Sequence, residues 1–183
     1  MVKDMSLLQH CRACGSRCCI EKTGGPRFTL KERTLIEGRF GKGSLVEGKG
    51  YFVPKKRGDR CGFIEEGLCA LEGIKPVDCR IFPLDPIFDA KGQIDFVIDV
   101  NCPAAKHLSA DFIAEAIRLG IGWMSETEVE AFRHYWSRHK VANPEQRLVR
   151  LSEYLRSRPE GFAEDVGGRL PPVQLISRIL VGS

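Results

Sequence analysis

The sequence predicts an α+β protein, with short antiparallel hairpins in a small cysteine-rich region that is covered by C-terminal amphipathic helices. Three observations lead there. All eight cysteines fall between Cys11 and Cys102, and the last 81 of the 183 residues contain none. Short aromatic and β-branched runs, broken by turn residues, fill the stretch from Tyr51 to Val100. From Ser109 onward, apolar residues recur at helical spacing behind capping signals. A chain of this length with 43% hydrophobic residues can bury a normal core, so small size alone gives it no need of metal or disulfides.

The elements follow in order. Cys11 to Cys19, CRACGSRCC, shows no strand-like alternation and predicts a loop leading into a short helical turn. Thr29-Leu30-Lys31-Glu32 is a capping-box pattern that opens a helix over about 30–38, with Gly38 and Gly41 ending it. The stretch from Gly41 to Gly50 holds four glycines and no apolar period, and predicts a mobile loop. Tyr51-Phe52-Val53 and Cys61-Gly62-Phe63-Ile64 have strand composition. Glu65-Glu66-Gly67 is a turn that folds Leu68-Cys69-Ala70 back, setting Cys61 nearly opposite Cys69 with β-carbons about 5 Å apart. A second hairpin joins Ile81–Phe88 to Ile94–Val100 across Asp89-Ala90-Lys91-Gly92 and delivers Cys102 just past its strand end.

Three amphipathic helices are expected next. Ser109 caps one carrying Phe112, Ile113, Ala116 and Ile117; Ser125-Glu126-Thr127-Glu128 opens one with Val129, Phe132 and Trp136 on a face. Asn143-Pro144-Glu145-Gln146 opens a third, with Leu148, Leu151 and Leu155. Residues 157–161 and 167–172 are helix breakers, leaving the last residues as a docking or partly disordered segment. No internal repeat is present. Residues 1–106 are therefore read as a cysteine-rich metal- or cluster-binding region, and residues 107–183 as a helical region packed on it as one domain.

Compartment decides how the thiols are read. Lys3, Asp4, Gln9 and His10 interrupt the N-terminal residues, so the apolar run of roughly 7–15 residues in an export signal is missing, and no stretch approaches a membrane span of about 20 apolar residues. A cytoplasmic setting is expected, and there a dense cysteine pattern points to metal or redox chemistry more than to a disulfide scaffold. Cys11, Cys14, Cys18, Cys19, Cys61, Cys69, Cys79 and Cys102 are all candidate metal ligands. Adjacent cysteines rarely place both sulfurs well on one tetrahedral metal. Cys18 and Cys19 therefore serve different centres, or one of them is a redox partner or a core residue. His10 and His107 flank the outer cysteines as substitute ligands or as solvated side chains. Spacing leaves the metal open: Cys11-x-x-Cys14 starts zinc knuckles and iron–sulfur loops alike, and Cys102-Pro103 resembles the closing element of ferredoxin loops.

The formal charge of +4 counts the thiols as neutral. Four thiolates around Zn²⁺ or a 4Fe–4S core carry a net charge of about −2, so two filled sites would neutralise much of the basicity. Lys22, Arg27, Lys55, Lys56, Arg57, Arg60 and Arg80 lie between or beside cysteines, where positive charge favours thiolates. The run Lys55-Lys56-Arg57 reads best as solvated surface. Arg80 is read as a donor to a cluster sulfur or as a surface ion-pair partner of Asp78 or Asp85.

Taken together, CRACGSRCC, CGFIEEGLC, KPVDCRIFPL and NCP resemble the bacterial and archaeal cysteine-cluster family of the YkgJ-like, or CxxCxxCC, type, described as a zinc- or iron-chelating domain. The resemblance spans Cys11 to Cys102, slightly over half the chain, and leaves the helical tail outside. It implies a metal- or cluster-binding module related to the cysteine-rich region of flagellin lysine methylases, where an iron–sulfur centre is expected. Two features depart from the pattern. The double cysteine follows Cys14 after three residues, where the family name implies two, and Lys75 precedes Pro76 where Arg is expected.

The reading that needs only the cysteines is a non-catalytic protein holding an iron–sulfur cluster, a 4Fe–4S centre first, and/or Zn²⁺, acting in electron transfer, metal sensing or metal handling. A cluster-containing enzyme, methyltransferase-like or redox, is the alternative. The chain lacks Gly-x-Gly-x-x-Gly, a P-loop and any Glu- or His-rich constellation for acid–base chemistry at a metal. A nucleic-acid module using His134-Tyr135-Trp136-Ser137-Arg138-His139-Lys140 is disfavoured, because the charge is modest and Trp136 shares the apolar face of Phe132. The partners expected are thus the metal or cluster and a protein left open, with neither nucleic acid nor membrane.

Overall fold

The computed structural model describes residues 26–48, 50–58, 60–66, 68–88, 94–126 and 148–170. Helices and small antiparallel sheets together make the fold α+β. It forms two compact units, one reaching to Cys79 and the other starting at Arg80. Among the described residues, no helix is long and apolar enough to cross a membrane.

In the first unit, helix α1 (Leu30–Phe40) starts as the sequence dictates. Thr29 Oγ1 accepts from the Glu32 amide at 3.3 Å, and Glu32 Oε2 accepts from the Thr29 amide at 2.8 Å, a complete capping box. Gly38 is absorbed into the helix and Gly41 ends it, with a φ of 89° that favours glycine. The segment after it is not a loop. Strand β1 (Leu45–Glu47) pairs antiparallel with β2 (Phe52–Pro54), Val46 facing Val53, because the four glycines flank a short Leu-Val-Glu run that a hairpin can use. Phe28 adds a bridge to Phe52 through two backbone hydrogen bonds of 2.8 and 3.0 Å. Phe28, Ile36, Leu45, Phe52, Cys61, Phe63 and Leu71 form the buried cluster beneath, with Phe63 packed on the Phe28 and Phe40 rings at centroid distances of 6.1 and 5.2 Å. Strands β3 (Ile64–Glu65) and β4 (Leu68–Cys69) make a minimal hairpin beside it.

Helix α2 (Val77–Ile81) carries the chain across the division between the units. In the second unit, β5 (Leu84–Phe88) and β6 (Ile94–Asp99) pair antiparallel in the expected hairpin, Leu84 facing Ile98, while its turn at 89–92 lies outside the described residues. Pro86 is tolerated because β5 is an edge strand, where a missing N–H costs little. The third strand is a correction. Residues Leu148–Arg150 form β7, paired along the other edge of β6, and the helix expected to contain Leu148 starts only afterwards as α4 (Leu151–Arg156). The open edge of β6 takes the Leu-Val-Arg run as a strand, overriding its helical spacing, while Leu151 and Leu155 remain on the buried helix face.

Helix α3 (Ala110–Glu126) is capped as expected by Ser109, whose Oγ accepts from the Phe112 amide at 3.1 Å. It runs through Ser125 and Glu126, so no helix opens at Ser125. The remainder of that expected helix, with Val129, Phe132 and Trp136, lies outside the described residues, as do the Asn143–Gln146 cap, the basic-aromatic run 134–140 and the tail from 171. Gly120 lets α3 sit close on the sheet, since a β-carbon there would fall 2.7 Å from the buried Phe96 ring. A last helix, α5 (Phe162–Gly168), starts from Gly161 in the left-handed conformation and takes in Gly167 and Gly168, expected from the sequence to break a helix.

Candidate metal centre

Three of the candidate ligands belong to described parts of the first unit. Cys61 is buried within the apolar cluster, and Cys69 and Ile74 pack against the same cluster. The expected pairing of Cys61 with Cys69 is corrected by the register: Ile64 faces Cys69 and Glu65 faces Leu68. Residues 61–63 are wound into a turn in which the Ile64 amide donates to the Cys61 carbonyl at 3.1 Å, so the strand begins only at Ile64. Gly62 fixes that turn. A β-carbon at this position would lie 1.9 Å from the Lys55 carbonyl oxygen, an approach only glycine allows. The hairpin reversal itself is as expected, with Glu66 at φ 51° in the turn.

Cys79 is the central residue of α2, and its amide donates to the Pro76 carbonyl at 3.1 Å. This five-residue helix is too short to stand on its own hydrogen bonds and is held by two side chains from the other end of the unit. Arg27 donates to Asp78 three times: from its backbone amide at 2.8 Å, from Nε at 3.0 Å and from Nη2 at 2.8 Å. The side chains are 3% and 13% exposed. Glu32, already closing the capping box of α1, places its other oxygen 2.7 Å from the Val77 amide. A carboxylate on a first-turn amide satisfies a donor that the helix cannot pair and complements the positive end of its dipole. Lys75 pairs with Glu72 at 3.1 Å. Residues 27–32 are thereby latched to the helix that presents Cys79.

Arg80 is exposed, and the Asp78 carboxylate it was expected to approach is held by Arg27. Arg27, read from the sequence as a charge favouring thiolates, is thus a structural clasp. Cys102 is half-buried in the second unit, between the end of β6 and a 3₁₀ turn (Pro103–His107). Its amide donates to the Asp99 carbonyl at 3.2 Å and its carbonyl accepts from Ala105 at 2.9 Å. Proline at the first position of that turn needs no N–H partner, which explains the Cys-Pro step. His107 ends the turn and is exposed. Cys11, Cys14, Cys18, Cys19 and His10 lie outside the described residues. Among the described residues, no three His, Cys, Asp or Glu side chains gather where a metal ion could be held.

Two titrating groups near these elements are displaced. Glu37 is lowered below the ordinary carboxylate range, first by the hydrogen bond from Arg33 and next by the Gly43 amide. Tyr154 is raised, because burial disfavours the phenolate more than Arg158 favours it; its hydroxyl donates to the Ala105 carbonyl at 2.5 Å and ties α4 to the turn after Cys102. The Arg27–Asp78 clasp is not legible in the sequence, since its partners are 51 positions apart and nothing in the run around Asp78 points to Arg27. Comparison with family models, with curated proteins and with solved structures found no match.

Proposed function

We propose that this chain is a metal-binding cysteine-cluster protein, holding an iron–sulfur cluster or zinc through thiolates, of the YkgJ-like type that its cysteine pattern resembles. The observation that carries the reading is the latch on α2. It fixes Arg27, only eight residues after Cys19, against the helix of Cys79, while Cys61 and Cys69 share one apolar cluster in the same unit. The four densest cysteines of the sequence therefore lead directly into a backbone clamped beside a fifth. The proposed ligand set includes Cys11, Cys14, Cys18 and Cys19, whose spacing is the densest in the sequence. Soft thiolate donors suit zinc and iron–sulfur clusters over hard cations. A bound cluster would supply one-electron chemistry, and zinc would supply rigidity.

A cytoplasmic role in electron transfer, metal sensing or metal handling follows from the same reading. Arg80, exposed one residue after Cys79, is the proposed donor to a sulfur ligand. The test is anaerobic purification followed by absorption spectroscopy with iron, zinc and sulfide analysis. Stoichiometric iron and sulfide with broad visible absorbance supports a cluster, and stoichiometric zinc in a colourless protein supports structural sites. Material with neither metal nor sulfide ends the proposal.

A further inference from the structure

A cleft of about 370 Å³ opens in the first unit, within the size range of small-molecule sites. Its wall combines two kinds of surface. Phe40 and Phe63, in edge-to-face contact at 5.2 Å, form an apolar end. Lys42, Lys55, Lys56 and Arg57 supply four cations, against the single carboxylate of Glu65. Among the described residues, none of the four cations forms a salt bridge. The nearby Glu37 carboxylate is taken up by Arg33 at 2.9 Å and by the Gly43 amide at 3.3 Å.

The frame around these charges is fixed by backbone contacts. The Lys55 amide donates to the Ser44 carbonyl at 2.9 Å, Arg57 and Arg60 exchange two backbone hydrogen bonds of 3.1 and 3.3 Å, and Gly62 closes against the Lys55 carbonyl. Ser44 lines the same cleft, and its Oγ is buried with no hydrogen-bond partner among the described residues. A buried hydroxyl without a partner is costly unless a ligand completes it.

We propose that this cleft binds a small phosphorylated organic molecule, its phosphoryl oxygens against Lys55, Lys56, Arg57 and the Ser44 hydroxyl and its apolar part against Phe40 and Phe63. A doubly charged group with three acceptor oxygens matches several cations lining one cleft better than a carboxylate does, and guanidinium and ammonium groups are its ordinary partners. A short, aromatic-ended cleft on a chain of net charge only +4 argues against an extended polyanion track. None of the described lining residues is a cysteine, so this site stands or falls separately from the metal reading.

The experiment is calorimetric titration of the full chain at low ionic strength with phenyl phosphate and, separately, inorganic phosphate. One phenyl phosphate is expected to bind per chain, severalfold tighter than inorganic phosphate, and to weaken as salt is added. Lys56→Ala with Arg57→Ala should weaken it by about 10- to 100-fold, and Ser44→Ala by about 2- to 10-fold. Lys56 and Arg57 are exposed, so their removal leaves the fold intact, which circular dichroism verifies. Absence of saturable binding at millimolar phenyl phosphate overturns the proposal, as does unchanged affinity in the double variant. Inorganic phosphate binding as tightly as phenyl phosphate overturns the organic ligand, and displacement by a single-stranded oligonucleotide of higher affinity reassigns the surface to nucleic acid.

Discussion

Replacing Asp78 by alanine removes the acceptor of three Arg27 hydrogen bonds while leaving a guanidinium that is 3% exposed in place. Hydrogen bonds to charged groups contribute roughly 1.5–3 kcal/mol each, and breaking a buried ion pair from one side costs about 3–5 kcal/mol because the remaining charge loses its compensation. The second figure is the better guide, since the three bonds are geometrically coupled and do not add. Against a typical total stability of about 5–15 kcal/mol, Asp78→Ala should leave the first unit marginal. With a urea dependence of about 1–3 kcal/mol per molar, the unfolding midpoint should fall by about 1–5 M. The double variant Arg27→Met with Asp78→Leu removes both charges and keeps apolar volume, so it should recover most of the loss. Urea unfolding followed by circular dichroism, with both variants and the parent side by side, measures this. A loss below about 1 kcal/mol for Asp78→Ala, or a double variant no better than the single one, would refute the assignment of the clasp as the element that holds α2.

The remaining predictions bear on other parts of the chain. If metal organises the first unit, Cys79→Ser or a strong chelator should lower the melting temperature and expose apolar surface to a reporter dye; an unchanged melt after verified metal removal counts against it. Gly120→Ala should destabilise by about 1–3 kcal/mol through contact with Phe96, although alanine in an open helix position would gain up to about 1 kcal/mol, so the sign of the measured change decides. Because Tyr154 titrates above its ordinary value of 10.0 in the folded state, its contribution is fully present below that pH and lost as pH rises through the folded value. Tyr154→Phe should therefore lower stability by about 1 kcal/mol at neutral pH and flatten the alkaline decline, read from urea midpoints between about pH 8 and 11; an unchanged alkaline slope excludes Tyr154 as its source.

Where the determinants lie within a few residues of each other, the fold is legible from the chain. Thr29 with Glu32 and Ser109 with Phe112 set helix starts by contacts three positions apart, and the aromatic and β-branched run from Ile94 to Asp99 marks a strand whose partner is the nearest strand-like run. Where long-range pairing decides, local pattern misleads. Leu148 shares helical spacing with Leu151 and Leu155, yet Asp99 lies opposite Leu148 in the sheet because β6 has an edge to fill. Leu45–Glu47 looks like part of a glycine-rich loop and becomes a strand because Phe52 and its neighbours lie within hairpin reach. Cys61 shows the same limit at the candidate centre. Composition places it in a strand opposite Cys69, but the close approach of Gly62 to Lys55, a contact invisible in sequence, turns the chain one step earlier.

Glu32 shows why the surroundings of Cys79 escape a reading of motifs. Its capping-box role is fully explained by Thr29, three residues away, so nothing in the sequence calls for a further partner. A carboxylate has two oxygens, however, and the capping box uses only one of them for the Thr29 amide. The second reaches the Val77 amide across 45 positions, at the start of a five-residue helix whose first amides have no partner within it. A single side chain thus starts α1 and anchors α2, and the residue beside that anchor, Asp78, receives Arg27 from the strand-like segment just before Thr29. The consequence is cooperative: loosening the start of α1 also loosens the helix that presents Cys79. Cysteine spacing therefore names the candidate donors, while carboxylates set where one of them is held.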